Sequence, residues 1–214
     1  GLAWESCGAD WVKDITNQLK LFNSKITKAD YGKLVDLESV NFKNDIVFTW
    51  NGTTSGVCVP NGNWIDDNRE GLTICDATSA AFSMPLPWNK LDATSFSWQK
   101  VLGGEAQHGV IVLSPRTINR LENYIPERAI PKIFQIAEKG KVNKKLFTGS
   151  TINTPSMLCF EDALDSLKWV KSIGGLKQTI KLSNMNLKAV ENKIINSSWL
   201  EFLSLEKSTR SCTS

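Results

Sequence analysis

The chain has very little histidine and no long apolar run. His108 is the single histidine among 214 residues, so a histidine-rich metal site or a histidine-activated nucleophile is poorly supplied. No apolar stretch approaches the roughly 20 residues that span a bilayer, and no basic-then-apolar signal segment opens the chain. We therefore expect no metal site, no membrane partner and a cytoplasmic location.

The cysteines are few, odd in number and without close spacing. Most of them lie in apolar runs, where a cysteine behaves as a small hydrophobic residue. This pattern suits a reducing compartment and indicates neither a disulfide framework nor a zinc site. The five are Cys7, Cys58, Cys75, Cys159 and Cys212.

The net charge is also small. It is +3, from 25 Lys and Arg against 22 Asp and Glu, and the two signs are interspersed. This charge gives no support for a nucleic-acid or acidic-membrane partner. A chain of this length can bury a full core, and one domain with part of another is the natural expectation.

Both ends of the chain look cut. The first residue is Gly1 instead of Met, a helix-like segment begins within a few residues, and the last residues, Arg210 to Ser214, occur where a strand would plausibly start. We expect a fragment of a longer protein.

Periodicity predicts the elements of the first half. Residues 9–22 are predicted to form an amphipathic helix, because apolar residues recur there at intervals of four, four and three. Short β-rich apolar runs predict buried strands, and the continuous run at 109–113 is typical of a central strand. The helix positions are Trp11, Ile15, Leu19 and Phe22, and the other strands are 45–50, 72–75 and a strand end at 96–98.

Capping residues predict three helices in the second half of the chain. A long lysine-rich loop at 124–152 separates the first, short helix from the other two. The predicted helices are Ser114-Pro115 to Leu121, Thr154-Pro155 to the stop at Gly174-Gly175, and about Leu176 to Ile195. Alternating strands and helices indicate an α/β layered domain over 1–174, followed by the beginning of a smaller domain over 175–214.

Two charged residues follow apolar runs that resemble buried strands. Asp76 and Lys100 lie 24 residues apart, which leaves room for a crossover that brings both to one sheet edge. A lysine and a carboxylate are what a pyridoxal phosphate enzyme needs, to link the cofactor and to keep its ring nitrogen protonated. Spacing alone still favours the ordinary alternative, a surface lysine and a helix-capping aspartate.

Three motifs carry a resemblance to a known family. They are Ile74-Cys75-Asp76-Ala77-Thr78-Ser79-Ala80, then Phe96-Ser97-Trp98-Gln99-Lys100-Val101-Leu102-Gly103-Gly104-Glu105, then Thr151-Ile152-Asn153-Thr154-Pro155-Ser156-Met157. In this order they resemble phosphoserine aminotransferase, in its archaeal and alphaproteobacterial branch, and the likeness covers nearly the whole chain. It implies the large domain of a fold-type I, class V pyridoxal phosphate enzyme: a mostly parallel sheet flanked by helices, with the start of a smaller α+β C-terminal domain.

The resemblance implies a role for each matching residue. Lys100 matches the Schiff-base lysine, which also moves the proton, and we expect it to be buried because burial favours a neutral amine. Asp76 matches the partner of the ring nitrogen, and Thr53 matches the hydrogen-bond partner of the ring's phenolic oxygen. Thr54 takes that role if the register slips by one. Trp11 matches the aromatic residue that stacks on the ring, although it could equally be a core residue of the first helix.

Three further positions match the family's phosphate site. These are Gln99 and, at a predicted helix start, Asn153 and Thr154, where free amides favour an anion. In the family the Asn-Thr pair reaches the phosphate of the neighbouring subunit, which implies a homodimer with shared active sites. Thr154 can also be a plain N-cap, and no role transfers to His108. The family's glycine-rich loop and substrate-binding arginines have no match in this chain.

The implied activity is reversible amino transfer between O-phospho-L-serine and 2-oxoglutarate, giving 3-phosphohydroxypyruvate and glutamate, in serine biosynthesis and also in pyridoxine biosynthesis. Its partners are small amino and 2-oxo acids. Two alternatives stay open: another class V aminotransferase, of the serine-pyruvate or alanine-glyoxylate type, and a non-catalytic domain that retains the fold.

Overall fold

The computed structural model describes residues 1–213. Its first half contains short strands around one helix, and β-branched and aromatic residues in the longer strands favour the extended backbone. In chain order the elements are β1 Leu2–Ala3, α1 Ser6–Lys13, a π-helical turn Asp14–Gln18, β2 Thr27–Lys28, β3 Ile46–Thr49, β4 Asn51–Gly52, β5 Val57–Cys58 and β6 Thr73–Asp76.

The second half is richer in helix. Its elements are a 3₁₀ turn Trp88–Lys90, β7 Ala93–Ser97, β8 Gly109–Leu113, α2 Pro115–Glu122, a 3₁₀ turn Lys132–Phe134, β9 Ala137–Glu138, β10 Lys141–Val142, a 3₁₀ turn Lys144–Thr148, α3 Met157–Ser172, α4 Leu176–Ile195 and a 3₁₀ turn Lys207–Thr209. No helix within residues 1–213 is long and apolar enough to cross a membrane.

A four-stranded sheet organises the molecule. Its strand order is β3-β6-β7-β8, with the first two pairs parallel and the last pair antiparallel. The parallel strands therefore end at one edge, where Thr49 pairs with Asp76 and Asp76 pairs with Ser95. This carboxyl edge is the place where sheets of this type bind ligands.

The core packs against the parallel part of the sheet. Phe48, Trp50 and Cys75 are each no more than 2% exposed, and Trp4 beside α1 is 1% exposed. Phe48 and Trp64 meet edge to face with ring centroids 5.2 Å apart, a geometry that aromatic pairs prefer. The rigid part of the fold thus lies directly beneath the carboxyl edge.

The prediction that residues 109–113 form a central strand is wrong in position. β8 does form there, but it is the antiparallel edge strand of the sheet, and Ile111 and Val112 are 44% and 40% exposed. Ile111 and Val112 point to opposite faces of β8 and both are exposed, so the continuous apolar run indicated neither burial nor which strands lie beside it.

The first helix is shorter than the predicted 9–22. After Lys13 the chain forms a π-helical turn, in which Leu19 N–H bonds the Asp14 carbonyl. A π turn shifts the side chains that follow it away from the 3.6-residue period. Leu19 and Phe22 are consequently 50% and 88% exposed instead of sharing an apolar face.

The helix predicted from Thr154-Pro155 begins later. Ser156 is the N-cap of α3, and its side chain accepts from Cys159 N–H. The residue before a proline is disfavoured in helical conformation, so Thr154 stays outside the helix. Within α3, Ala163 and Val170 are buried, whereas Leu158, Leu164 and Leu167 are exposed.

The end of the chain returns to the sheet. Val57 of β5 pairs with Arg210, and Ser211 N–H donates to the Gly56 carbonyl. The side chain of Asn51 donates to the Thr213 carbonyl at 2.8 Å. These contacts bring residues 210–213 to the carboxyl edge. The domain boundary near Gly174 stays a prediction.

Candidate active site at the carboxyl edge of the sheet

Asp76 ends β6 at the carboxyl edge with both carboxylate oxygens engaged. Its Oδ1 accepts from the Thr78 backbone N–H at 2.9 Å and from the Thr78 hydroxyl at 2.6 Å. Its Oδ2 accepts from the indole N–H of Trp11 at 3.1 Å. No ion pair joins Asp76 to a cation within residues 1–213. The half-buried carboxylate is thus held by neutral donors alone.

The local sequence explains the hydrogen bonds that Asp76 Oδ1 accepts from Thr78. An aspartate that follows a strand readily accepts from the backbone N–H two residues later, and Asp76-Ala77-Thr78 does so. The hydrogen bond to Oδ2 is a tertiary contact, since Trp11 lies on α1, 65 residues away in the chain. One turn earlier on α1, burial raises the pKa of the Cys7 thiol, and the charges of Glu5 and Asp76 add to that increase.

Thr53 lies on the same edge, on the loop between β4 and β5. Its hydroxyl donates to the Ser79 hydroxyl oxygen at 2.8 Å, and the Asn51 side chain donates to that oxygen at 2.9 Å. Ser79 is three residues after Asp76, so Thr53 faces the loop that the carboxylate begins. That Thr53 hydrogen-bonds the phenolic oxygen of the cofactor ring stays a prediction.

Thr54, the alternative to Thr53, points to a different set of partners. It is exposed, and its hydroxyl donates to Glu5 Oε2 at 3.0 Å. Glu5 is 3% exposed and caps α1 by accepting from Gly8 N–H at 2.6 Å. Thr54 thereby supports the start of α1, which leaves Thr53 as the threonine that faces Ser79.

Lys100 does not close a buried strand. β7 ends at Ser97, and Lys100 follows in a loop that is held by hydrogen bonds from Gly103 N–H to the Lys100 carbonyl and from Gly104 N–H to the Trp98 carbonyl. The residue is exposed, so the expectation of a buried lysine is wrong. The apolar run around it belongs to the loop, where Trp98 and Leu102 pack without enclosing the amine.

Lys100 instead lines a cavity of about 500 Å³ between its own loop, α4 and the end of the chain. Thr213 lines the same cavity and is hydrogen-bonded to Asn51, which also holds Ser79. Lys100 therefore shares a cavity with Thr213, and Thr213 is connected to the loop after Asp76 through Asn51. No hydrogen bond or ion pair joins Lys100 directly to Asp76 among the described residues.

Gln99 lines that cavity as well. Its Oε1 is buried without a hydrogen-bond partner in the described part of the chain. An unpaired buried polar atom is costly. Gln99 therefore has a hydrogen-bond acceptor, next to Lys100 in the chain, that no described residue uses.

Asn153 and Thr154 lie apart from these groups. Both are exposed, and their hydrogen bonds stay within the segment, with the Thr151 hydroxyl donating to the Asn153 carbonyl at 2.8 Å. They precede α3 by two residues or more, so the helix N-terminus itself is at Ser156 and Met157. Within a single chain, the structure does not bring this pair to Asp76 or Lys100.

His108 packs in an aromatic cluster behind the lysine loop. Its ring centroid is 5.5 Å from that of Trp98 and 5.3 Å from that of Phe160. Packing of this kind matches the ordinary expectation for a lone histidine.

Thr78, Ser79 and Asn51 were not predicted as site residues, although they complete the hydrogen-bond network at the carboxyl edge of the sheet. The Asp-x-Thr spacing was a usable signal for Thr78, because Asx turns have this form. Ser79 and Asn51 are 28 residues apart, and the parallel pairing of β3 and β6, which precede them, brings them within hydrogen-bond distance. No local pattern predicts that contact.

The comparisons begin with sequence. No protein-family model matches the chain. It is 58% identical over 213 residues to the phosphoserine aminotransferase of Methanosarcina mazei, covering 100% of this chain and 58% of that protein. The corresponding protein of Methanosarcina barkeri gives the same values. These matches confirm the resemblance drawn from the motifs. The chain spans a little under three-fifths of the length of these curated relatives.

Solved structures agree on the fold. A phosphoserine aminotransferase from Cytophaga hutchinsonii superimposes with a TM-score of 0.81 at 22% identity, covering 99% of this chain and 59% of that one. A PLP-bound phosphoserine aminotransferase from Trichomonas vaginalis gives 0.65 at 16%, covering 99% and 57%. An alanine–glyoxylate aminotransferase from Nostoc sp. gives 0.73 at 14%, covering 99% and 57%. The fold is that of the fold-type I aminotransferases.

Proposed function

We propose that this chain, which matches phosphoserine aminotransferases along its whole length, carries the cofactor side of such an enzyme. The activity is reversible amino transfer between O-phospho-L-serine and 2-oxoglutarate, giving 3-phosphohydroxypyruvate and glutamate. The cofactor is pyridoxal 5′-phosphate. The observation that carries the proposal is the state of Asp76, a half-buried carboxylate at the carboxyl edge that neutral donors hold and no described cation neutralises.

The residues present fit this cofactor. A carboxylate has about four acceptor positions, and Asp76 uses three of them, which leaves one on Oδ2 for a protonated ring nitrogen. Gln99 brings an unpartnered buried amide oxygen to the cavity where Lys100 presents its amine. Only the NH₂ end of the Gln99 amide can donate to a phosphate oxygen.

Each residue has a defined task in the proposed reaction. When bound, pyridoxal phosphate supplies an electron sink for the bond changes at the substrate's Cα. Asp76 holds the proton on the ring nitrogen, which maintains that sink. Lys100 Nζ would hold the cofactor and would carry a proton to and from the substrate's Cα. Thr53 orients the ring through its phenolic oxygen, and Trp11 supplies a planar contact surface.

The finer assignments extend this proposal. Asn153 and Thr154, which are exposed and hydrogen-bond only within their own segment, suit a role at the phosphate of a neighbouring subunit in a homodimer. Serine biosynthesis follows from the reaction, and pyridoxine biosynthesis and a cytoplasmic location belong to the same proposal. The division at Gly174 separates the cofactor-binding part from the start of a smaller domain.

The test uses the purified full-length protein loaded with pyridoxal phosphate. We expect O-phospho-L-serine with 2-oxoglutarate to yield glutamate, and we expect phosphoserine alone to change the visible absorbance of the bound cofactor. Borohydride reduction followed by peptide mass spectrometry is expected to find the cofactor fixed on Lys100. The control variant is Lys100→Ala, which keeps Asp76 but cannot be labelled at this position.

Two outcomes would contradict the proposal. If phosphoserine leaves the absorbance unchanged while alanine or serine shifts it, the enzyme is another class V aminotransferase, of the serine-pyruvate or alanine-glyoxylate type. If borohydride fixes no cofactor on Lys100 in a folded protein, the chain is a domain that retains the fold without the chemistry.

A further inference from the structure

The Trp11–Asp76 hydrogen bond has a chemical consequence separate from aromatic stacking. Thr78 supplies two donors to Oδ1, which fills that oxygen, whereas Trp11 supplies a single donor to Oδ2. The remaining acceptor position of the carboxylate therefore lies on the oxygen that Trp11 holds. Any protonated ring nitrogen bound by Asp76 must share Oδ2 with the indole N–H.

The orientation of Oδ2 depends on this shared contact. Thr78 is two residues from Asp76, so its bonds fix Oδ1 relative to the local backbone. Trp11 comes from α1, a separate element that Glu5 caps through a bond to Gly8 N–H. The carboxylate is thus fixed at one oxygen by its own loop and at the other by a helix 65 residues away.

We propose that Trp11 is a positioning residue that acts through Asp76. Its indole N–H fixes Oδ2 in the direction from which the carboxylate meets the cofactor's ring nitrogen. The inference rests on the proposed function, but it concerns cofactor binding and not turnover. It separates two properties of one side chain: the ring face, which phenylalanine keeps in large part, and the N–H, which phenylalanine lacks.

The experiment is a double-mutant cycle on cofactor affinity in the full-length protein. The dissociation constant of pyridoxal phosphate is measured by absorbance titration for wild type, W11F, D76A and W11F/D76A. We expect W11F to weaken binding about tenfold when Asp76 is present, the value of one hydrogen bond to a charged group. With Asp76 removed, we expect W11F to change binding by less than about twofold, because coupling appears only between groups in contact.

Trp98→Phe is the matched control. Trp98 is also half-buried, it lies beside the lysine loop, and its indole N–H has no hydrogen-bond partner within the described residues. The same chemical change there removes no contact to Asp76, so we expect the dissociation constant to stay within about twofold of wild type. Circular dichroism and thermal unfolding confirm that each variant is folded, and D76N replaces D76A if the latter unfolds.

The outcomes distinguish this inference from the proposed function. If W11F weakens binding equally with and without Asp76, Trp11 acts through its ring face and the inference is wrong. Equal losses in W11F and W98F would contradict it in the same way. Failure of the wild-type protein to bind pyridoxal phosphate at Lys100 would instead overturn the proposed function.

Discussion

Two aspartates at opposite edges of the parallel sheet are held in opposite ways: Asp76 ends β6, and Asp92 precedes β7 and accepts from Thr73 at the amino end of β6. At the carboxyl end, Asp76 accepts from Trp11 and Thr78, which are neutral donors. At the amino end, Asp92 Oδ2 accepts from Arg69 at 3.0 Å and from Arg116 at 3.1 Å. One carboxylate is matched by two cations and the other by none that the structure describes.

The amino-end carboxylate is also more completely enclosed. Asp92 is 1% exposed, and it accepts further bonds from Thr73 N–H at 3.0 Å and from the Ser114 hydroxyl at 2.9 Å. Burial raises the pKa of Asp92, but the hydrogen bonds from Arg69, Thr73 and Ser114 outweigh that effect and hold the pKa below its ordinary value. The amino end is a closed network.

The difference shows how one strand can separate stability from chemistry. A buried charge is tolerated when it is paired and hydrogen-bonded, and Asp92 meets both conditions within the chain. Asp76 has acceptor capacity left over and lies at the edge where sheets of this type bind ligands. The amino end therefore serves the integrity of the sheet, and the carboxyl end has the free acceptor capacity that the proposed cofactor site requires.

The largest expected effect is on stability, from Asp92→Ala. Removing this carboxylate leaves Arg69, which is 9% exposed, as a buried charge without its partner. Loss of one member of a buried pair costs about 3–5 kcal/mol of the free energy of unfolding. Urea denaturation of the purified full-length protein at pH 7 measures it. A loss below about 1 kcal/mol would show that the two ends of β6 do not differ in this way.

The pH dependence of the same measurement sharpens the comparison. Because the pKa of Asp92 is lowered on folding, its contribution is present above the unfolded pKa of about 3.9 and is lost as pH falls through the folded pKa. The stability difference between wild type and D92N is therefore expected to shrink below about pH 4. A difference that stays constant from pH 7 to pH 3 would contradict the ionised pair.

The second effect is on turnover, from Asp76→Ala. No described cation loses its partner, so we expect the free energy of unfolding to change by no more than about 1–2 kcal/mol. Turnover with phosphoserine is expected to fall about 100-fold or more, because the ring nitrogen loses the group that keeps it protonated. Steady-state kinetics and urea denaturation of the same preparation test both parts. A variant that unfolds as readily as D92A would place Asp76 in the structural class.

Local signals in the sequence account for the parts of the fold that were predicted well. Ser114-Pro115 is a cap and a helix start in adjacent residues, and α2 begins there, while α4 occupies Leu176–Ile195 as its period and the preceding glycines indicate. The edge position of β8 was not predictable, because strand order depends on long-range pairing. The start of α3 was predicted too early, at Thr154, because the cap that the structure uses is Ser156, a residue type equally suited to that position.

The candidate site also contains some features that local sequence predicts and others that depend on long-range contacts. The position of Asp76 at a strand end was readable from its apolar run, and the bond to Thr78 follows from local Asx geometry. The Trp11–Asp76 bond and the cavity around Lys100 join elements far apart in the chain, and no spacing encodes them. Lys100 was expected to be buried because it follows an apolar run that resembles a buried strand, but β7 had already ended at Ser97.

The smallest expected effect comes from an exposed ion pair at the same amino end of the sheet. Arg120 Nη1 lies 3.1 Å from Asp45 Oδ2, and the two side chains are 47% and 41% exposed. Arg120→Ala leaves Asp45 its bond from Leu72 N–H at 2.8 Å. We expect a loss of at most about 0.5–1 kcal/mol, reduced further by 1 M salt.

The matched variant is Arg69→Ala, which breaks the buried pair from its cationic side. If burial decides the value of a charge at this end of the sheet, R69A costs several times more than R120A in urea denaturation and is insensitive to salt. Equal costs would mean that the position at the amino end matters and the enclosure of Asp92 does not. In that case, the absence of a described cation at Asp76 would no longer distinguish a ligand-binding carboxylate from a structural one.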